Sequence, residues 1–142
     1  MNYFLRIFFL YIFVHSKSIV ESMINQEIGG ICTSDGLFFI ESFNVNPWPP
    51  TAGKFSTIYF PGVSEGKITI GIIEYSIENE NQAWYTTLQT VNQTYLQDES
   101  TSFTNIIQWP FFSGEYNFQM RIHGQTHPEN IHACWTFSFI LY

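Results

Sequence analysis

Tyr116-Asn117-Phe118-Gln119-Met120-Arg121-Ile122 and, after a short polar loop, Cys134-Trp135-Thr136-Phe137-Ser138-Phe139-Ile140-Leu141 decide how this chain folds. In the first stretch Tyr116, Phe118, Met120 and Ile122 alternate with Asn117, Gln119 and Arg121. In the second, Trp135, Phe137, Phe139 and Leu141 alternate with Cys134, Thr136 and Ser138. A period of two puts one set of side chains on one face of an extended chain. Both stretches therefore read as half-buried strands, with Gly124–Asn130 as the loop between them.

Working outward toward the N-terminus, similar apolar runs recur between breakers. Leu37–Val45 ends at Asn46-Pro47-Trp48-Pro49-Pro50, where prolines stop a ladder. Thr51-Ala52-Gly53-Lys54 reads as a turn. Phe55–Phe60 reads as a strand closed by Pro61-Gly62, and Lys67–Tyr75 as one with Ile68, Ile70 and Ile72 on one face. Glu78-Asn79-Glu80-Asn81 is a polar turn before a strand over Ala83–Leu88. Asp98-Glu99-Ser100 precedes the last of these runs, Ser102–Trp109. Beyond the first 18 residues no helical period of useful length appears. The pattern predicts an all-β, immunoglobulin-like antiparallel β-sandwich of six to seven strands in a single domain.

Composition bounds the function. Charged residues make up 12% of the 142, aromatic ones 19%, with 15 Phe, 8 Tyr and 4 Trp, and the net charge is −7. The basic residues are Arg6, Lys17, Lys54, Lys67 and Arg121. They form no patch that could neutralise phosphates, which argues against a nucleic-acid partner and against a polybasic membrane anchor. Leu5–Val14 is an apolar run behind Arg6 and before Ser16 and Ser18, the layout of a secretory signal peptide over 1–18. It is short for a membrane span, which needs about 20 residues; an uncleaved signal anchor is the other reading. Residues 19–142 would then form the domain. Asn92-Gln93-Thr94 is a glycosylation acceptor triplet, with Asn92 as the site. Cys32 and Cys134 are the two cysteines. In an oxidising compartment one bridge is the expectation, with two buried thiols as the alternative.

No chemistry of catalysis stands out. His15, His123, His127 and His132 complete no standard metal spacing with Cys or carboxylate. A G-x-S-x-G elbow and a P-loop are absent, and no pair of glutamates is singled out. The expectation is a protein that is not an enzyme, with no catalytic residue, no metal and no cofactor. The apolar surplus is the unusual feature. The inner faces of a sandwich can interlock as ordinary core, or splay and leave an internal apolar cavity.

Two segments bear on that choice. Cys32-Thr33-Ser34-Asp35-Gly36 leads to Ile40, Phe43-Asn44-Val45-Asn46-Pro47, Pro49-Pro50 and Gly53-Lys54. Gly114-Glu115-Tyr116 is followed by Cys134-Trp135-Thr136-Phe137. Together they resemble the ML (lipid-recognition) domain family, in particular its Niemann–Pick type C sterol carriers and phosphatidylglycerol/phosphatidylinositol transfer proteins. The resemblance runs from Cys32 to Tyr142 and is weak over Ile68–Leu88; the further disulfides of animal members are missing. It implies a Cys32–Cys134 bridge and a sandwich holding a lipid (sterol, fatty acyl or phospholipid) between its sheets. It implies export, either secretion or delivery to the lumen of the endolysosomal or vacuolar system. On alternation, the cavity-facing set is Phe55, Ile58, Ile68, Ile70, Ile72, Phe103, Tyr116, Phe118, Met120, Ile122, Trp135, Phe137 and Phe139, each equally placed to be simple core. Trp109, Phe111 and Phe112 form an apolar tip at a loop, read as a cavity mouth touching a membrane or receptor, or as a strand end folded under the sandwich. A monomer is expected. The competing reading is a secreted adhesion or receptor-associated sandwich with a filled core.

Overall fold

The two alternating C-terminal runs become neighbouring strands, β8 (Gly114–Gly124) and β9 (Ile131–Leu141), paired antiparallel with Phe118 opposite Phe137 and Met120 opposite Trp135. The structure is a computed structural model and describes residues 28–142; the leader read over 1–18 lies outside the described residues. Upstream come β1 (Gly30–Ile31), β2 (Phe38–Ile40), β3 (Asn44–Asn46), β4 (Phe55–Ser64), β5 (Ile68–Asn79), β6 (Trp84–Tyr95) and β7 (Ser100–Gln108). One sheet has the order β1-β9-β8-β5-β6. In the other, β2 and β3 flank one side of β4 and β7 the other. All pairings are antiparallel, so the architecture is a two-sheet β-sandwich.

The strand count exceeds the six to seven expected, for local reasons. The run over Leu37–Val45 is two short strands, because the chain breaks at Glu41–Phe43 and sends the Phe43 ring into the core. The strand beginning at Phe55 does not close at Pro61-Gly62. Pro61 sits opposite Ser102 within the ladder, and its carbonyl accepts from Glu41 N at 3.0 Å. Gly62 is required there, since the Phe38 ring lies where a side chain at 62 would stand. The strand over Ala83–Leu88 continues to Tyr95 as β6.

The core lies between the sheets and is dominated by rings. Phe43 stacks on Phe60 at 5.6 Å and on Trp135 at 5.4 Å, while Phe118 stacks on Phe137 at 4.5 Å. Full burial of each such side chain contributes roughly 1.5–3 kcal/mol, and offset or tilted ring pairs about 0.5–1.5 kcal/mol more. Cys32 and Cys134 are disulfide-bonded with Cα atoms 5.0 Å apart, fastening the start of the described chain to β9.

Candidate functional site

The sandwich is closed unequally around its perimeter. Along one flank β1 and the disulfide bind the chain to β9, and the Trp135 indole donates to Ile28 O at 2.7 Å. The opposite flank is made of two edge strands, β6 from one sheet and β7 from the other. The turn after Tyr95 carries the chain from β6 to β7, and at that corner buried Tyr95 stands edge-on to Phe103 at 6.1 Å.

Away from this corner the two strands part. Directly opposed residues share a face of the sheet. Gln89, Thr87 and Tyr85 oppose Ile73, Tyr75 and Ile77, which are buried, so all six face inward. Yet Thr87 and Tyr85 are exposed and Gln89 half-buried, because β7 does not cover them. A polar latch spans the gap. The Tyr75 hydroxyl donates to Gln89 Oε1 at 2.6 Å, and Gln89 Nε2 donates to Thr104 O at 3.2 Å. Burial pushes the Tyr75 phenol well above its ordinary value, so it stays a protonated donor.

The flank ends in a surface pocket of about 180 Å³ lined by Tyr85, Gln108, Trp109, Pro110, Phe111 and Phe112. Its lip is apolar and exposed: Phe111 is 70% and Phe112 75% accessible. The lip is nevertheless anchored. The Phe111 ring rests on Gly53, whose φ of 68° puts it in the region glycine favours, and Gly53 N donates to Pro110 O at 2.9 Å. The Tyr116 hydroxyl donates to Phe112 O at 2.8 Å. Trp109 is the floor. It is 1% accessible, stands edge-on to Phe139 at 4.9 Å and lies 6.4 Å from Phe118. Its indole donates to Ser56 Oγ at 2.7 Å, and Ser56 Oγ in turn donates to Pro47 O at 2.9 Å. One pinned indole thus separates a surface pocket from the apolar interior.

The residues read from the sequence divide as follows. Ile58, Ile68, Ile70, Phe103, Tyr116, Phe118, Met120, Ile122, Trp135, Phe137 and Phe139 are all buried between the sheets, where they pack as core. Phe55 is 59% accessible, outside that set: the inward phase of β4 starts at Ser56. Ile72 is also out of phase, because an irregularity at Gly71 shifts the alternation and turns Ile73, Tyr75 and Ile77 inward instead. Trp109 is floor rather than lip, while Phe111 and Phe112 are the lip. Asn92 is exposed on β6. Sequence reasoning missed Phe43, Phe60, Ile73, Tyr75 and Gln89. Phe60 could have been found from its alternation with Ile58; Phe43 lies in a break, and Gln89 is a polar residue on an uncovered face, so neither carries a periodic signal.

Two further concavities are lined by the described residues. One of about 430 Å³ is bordered by Glu80, Glu115, Asn117, Ser138 and Ile140, the other, of about 250 Å³, runs beside the disulfide past Phe39 and His132. On the outer face of the five-stranded sheet, Glu74 contacts Arg121 at 2.7 Å and His123 at 3.2 Å. Burial alone would raise the Glu74 carboxyl, but hydrogen bonds from Ser76 and Arg121 and the charges of Arg121 and His123 outweigh it and hold it below its ordinary value. The remaining loop histidines do not converge: His127 pairs with Glu129, and burial lowers His132.

The fold is similar to that of the C-terminal domain of wzt, with TM-score 0.65, 12% identity, and coverage of 78% of this chain and 76% of that one. It is also similar to a Niemann–Pick type C2 protein from the Japanese carpenter ant, with TM-score 0.60, 6% identity, and coverage of 81% of this chain and 99% of that one. At these identities the likeness is one of fold. No protein-family model matches the chain, and no curated protein matches it by sequence.

Proposed function

We propose that this protein binds one apolar or amphipathic molecule, a sterol or the acyl chain of a fatty acid or phospholipid, whose hydrocarbon enters between the sheets along the β6–β7 flank. The observation that carries the reading is the floor of the aromatic pocket. Trp109 lines that pocket and also packs against the rings of Phe118 and Phe139. The described core residues are buried in one cluster between the sheets, so uptake means swinging the indole aside and parting the latch. Each Å² of hydrocarbon hidden from water contributes about 25 cal/mol, and several hundred Å² outweighs the ordering of a few side chains. Amide groups at Gln89 and Gln108 remain at the mouth to hydrogen-bond a polar head. The resemblance to the ML family and the likeness in fold to the ant Niemann–Pick type C2 protein support the reading. Action without catalysis and export to an oxidising compartment belong to the same proposal, the latter supported by the Cys32–Cys134 bridge.

The test is titration with a fluorescent fatty acid and a fluorescent sterol, alongside native mass spectrometry of protein purified from its own source. Saturable 1:1 binding, displaced by unlabelled lipid, is expected. Absence of both saturable binding and retained lipid mass would sink the proposal. That result would favour the second reading, an exported adhesion or receptor-associated sandwich, for which the closely stacked rings of the interior speak.

A further inference from the structure

Charge runs along the four-stranded sheet with a direction. From Ser42 to Ser64 the one charged residue is Lys54, and from Ser100 to Gly114 there is none, so β3, β4 and β7 carry no carboxylate. The acids gather instead at the Ser64 end of β4. Glu41 N donates to Pro61 O, Glu65 N to Leu37 O, Ser64 N to Glu99 O and Asp98 N to Ser64 O. Lys54 stands at the other end, about 30 Å away along the strand. It is exposed and pairs with no carboxylate among the described residues. Beside it lie four exposed apolar side chains. Phe55 opposes Gln108 and Thr57 opposes Ile106, so Phe55 and Ile106 are diagonal neighbours on the outer face, both more than half accessible. The Phe111 ring rests on Gly53, next to Lys54, and exposed Phe112 follows it. One corner of the sandwich thus gathers four large apolar side chains and one cation, and an exposed patch of that kind marks an interaction surface.

We infer that this corner docks on a phospholipid bilayer, with Phe55, Ile106, Phe111 and Phe112 entering the boundary between headgroups and acyl chains and Lys54 meeting lipid phosphate. The inference rests on the proposed function for one element, that the Phe111–Phe112 lip borders a lipid's entry. Charge fits this partner. The acids of the same sheet lie several Debye lengths of about 8 Å from Lys54, so the cation sets the field where the sheet touches. Glu115, the acid that follows the lip in the chain, alternates on β8 with inward-facing Tyr116 and so points to the far side of the sandwich. The backbone fits as well. Unpaired peptide groups are costly in an apolar medium. Pro110 has no N–H and its carbonyl accepts from Gly53 N, the Phe112 carbonyl accepts from the Tyr116 hydroxyl, and the Lys54 carbonyl accepts from Trp109 N. Those groups are already met when the tip enters. Position fits too, since the same two rings edge the pocket of Tyr85 and Trp109, and a lipid leaving the bilayer reaches it without crossing water. No polybasic anchor is involved: the contact is apolar and oriented by one cation.

The experiment is flotation with vesicles of phosphatidylcholine, alone and mixed with phosphatidylserine, on parent and variants purified from the protein's own source, beside titration with free fluorescent fatty acid in the absence of vesicles. The parent is expected to float with both. Phe55→Glu and Ile106→Glu are each expected to lose about tenfold or more in vesicle partition, because a charge replaces an inserted apolar group. Phe39→Glu, comparably exposed at the acidic end of the same outer face, makes the same change in net charge and should partition as the parent does. Lys54→Gln should weaken binding to the phosphatidylserine mixture more than to phosphatidylcholine alone. Neither Phe55 nor Ile106 lines the pocket, so their variants should bind the free probe as the parent does. Should a variant misfold by circular dichroism, hydrogen exchange on the parent decides: amides between 105 and 112 must gain protection with vesicles while those of 38–40 do not. A parent that floats, with loss in both variants, but binds no free probe retires lipid uptake and leaves the docking standing. A parent that binds the probe but does not float overturns the inference and leaves the corner to a protein receptor. Flotation indifferent to both Phe55→Glu and Ile106→Glu, or weakened as much by Phe39→Glu, also overturns it.

Discussion

Replacing Gln89 by Ala tests the latch directly. Tyr75 is 2% accessible, and its hydroxyl has Gln89 Oε1 as its acceptor at 2.6 Å. Without that acceptor a buried donor is left unmade, which costs about 1–3 kcal/mol; the bond from Gln89 to Thr104 O is exposed and adds roughly 0.5 kcal/mol or less. Tyr75→Phe removes the donor instead and leaves Gln89 free to turn to water, so about 0.5–1.5 kcal/mol is expected. The two losses share one bond. The double variant should therefore be more stable than the sum of the single losses implies, by about 0.5–2 kcal/mol. Urea unfolding of the four proteins measures this cycle. Stopped-flow uptake of a fluorescent fatty acid by the same set should quicken in Gln89→Ala, whose flank is no longer tied. A Gln89→Ala cost under about 0.5 kcal/mol, with strict additivity to Tyr75→Phe, would refute the latch.

Trp109→Ala should cost about 3–5 kcal/mol in denaturant unfolding, as expected for a fully buried Trp, and should tighten or accelerate probe binding by joining the pocket to the core; a small cost would mean that the indole is not the floor. Glu74 is held below its ordinary value of 4.5, so its ionised form favours the fold. That stabilisation is complete above this value and is lost as pH falls through the lowered folded value. Glu74→Gln should accordingly flatten the acid limb of a stability–pH curve below about pH 4.5 while leaving its neutral shape alone. Reduction of Cys32–Cys134 releases a separation of 102 residues and should cost up to about 4.7 kcal/mol, seen as a lower urea midpoint with reductant and no such shift in the Cys32→Ser/Cys134→Ser chain.

Much of the fold was legible because burial imposes a period of two on any strand with one wet face. Tyr116–Ile122 and Trp135–Leu141 carried that period without interruption, and they became the paired centre of the larger sheet. Legibility failed where the period breaks. The irregularity at Gly71 hid the true inward set of β5, and β6 shows no alternation because both its faces are wet over most of its length. The site suffered most, since its mouth at Tyr85 and Gln89 and its floor at Trp109 come from β6 and from the chain just after β7, two strands that are consecutive in sequence but lie in different sheets.

Composition, alternation and two well-placed cysteines by themselves determined an all-β sandwich with an aromatic interior, since these are local consequences of side-chain chemistry acting on an extended backbone. Only the tertiary structure decided which rings meet, that Trp109 rather than Phe111 closes the pocket, and that β6 is left with an open edge. Those outcomes depend on how far apart two sheets stand along a flank, a distance set by all the packing at once and written in no single stretch of residues.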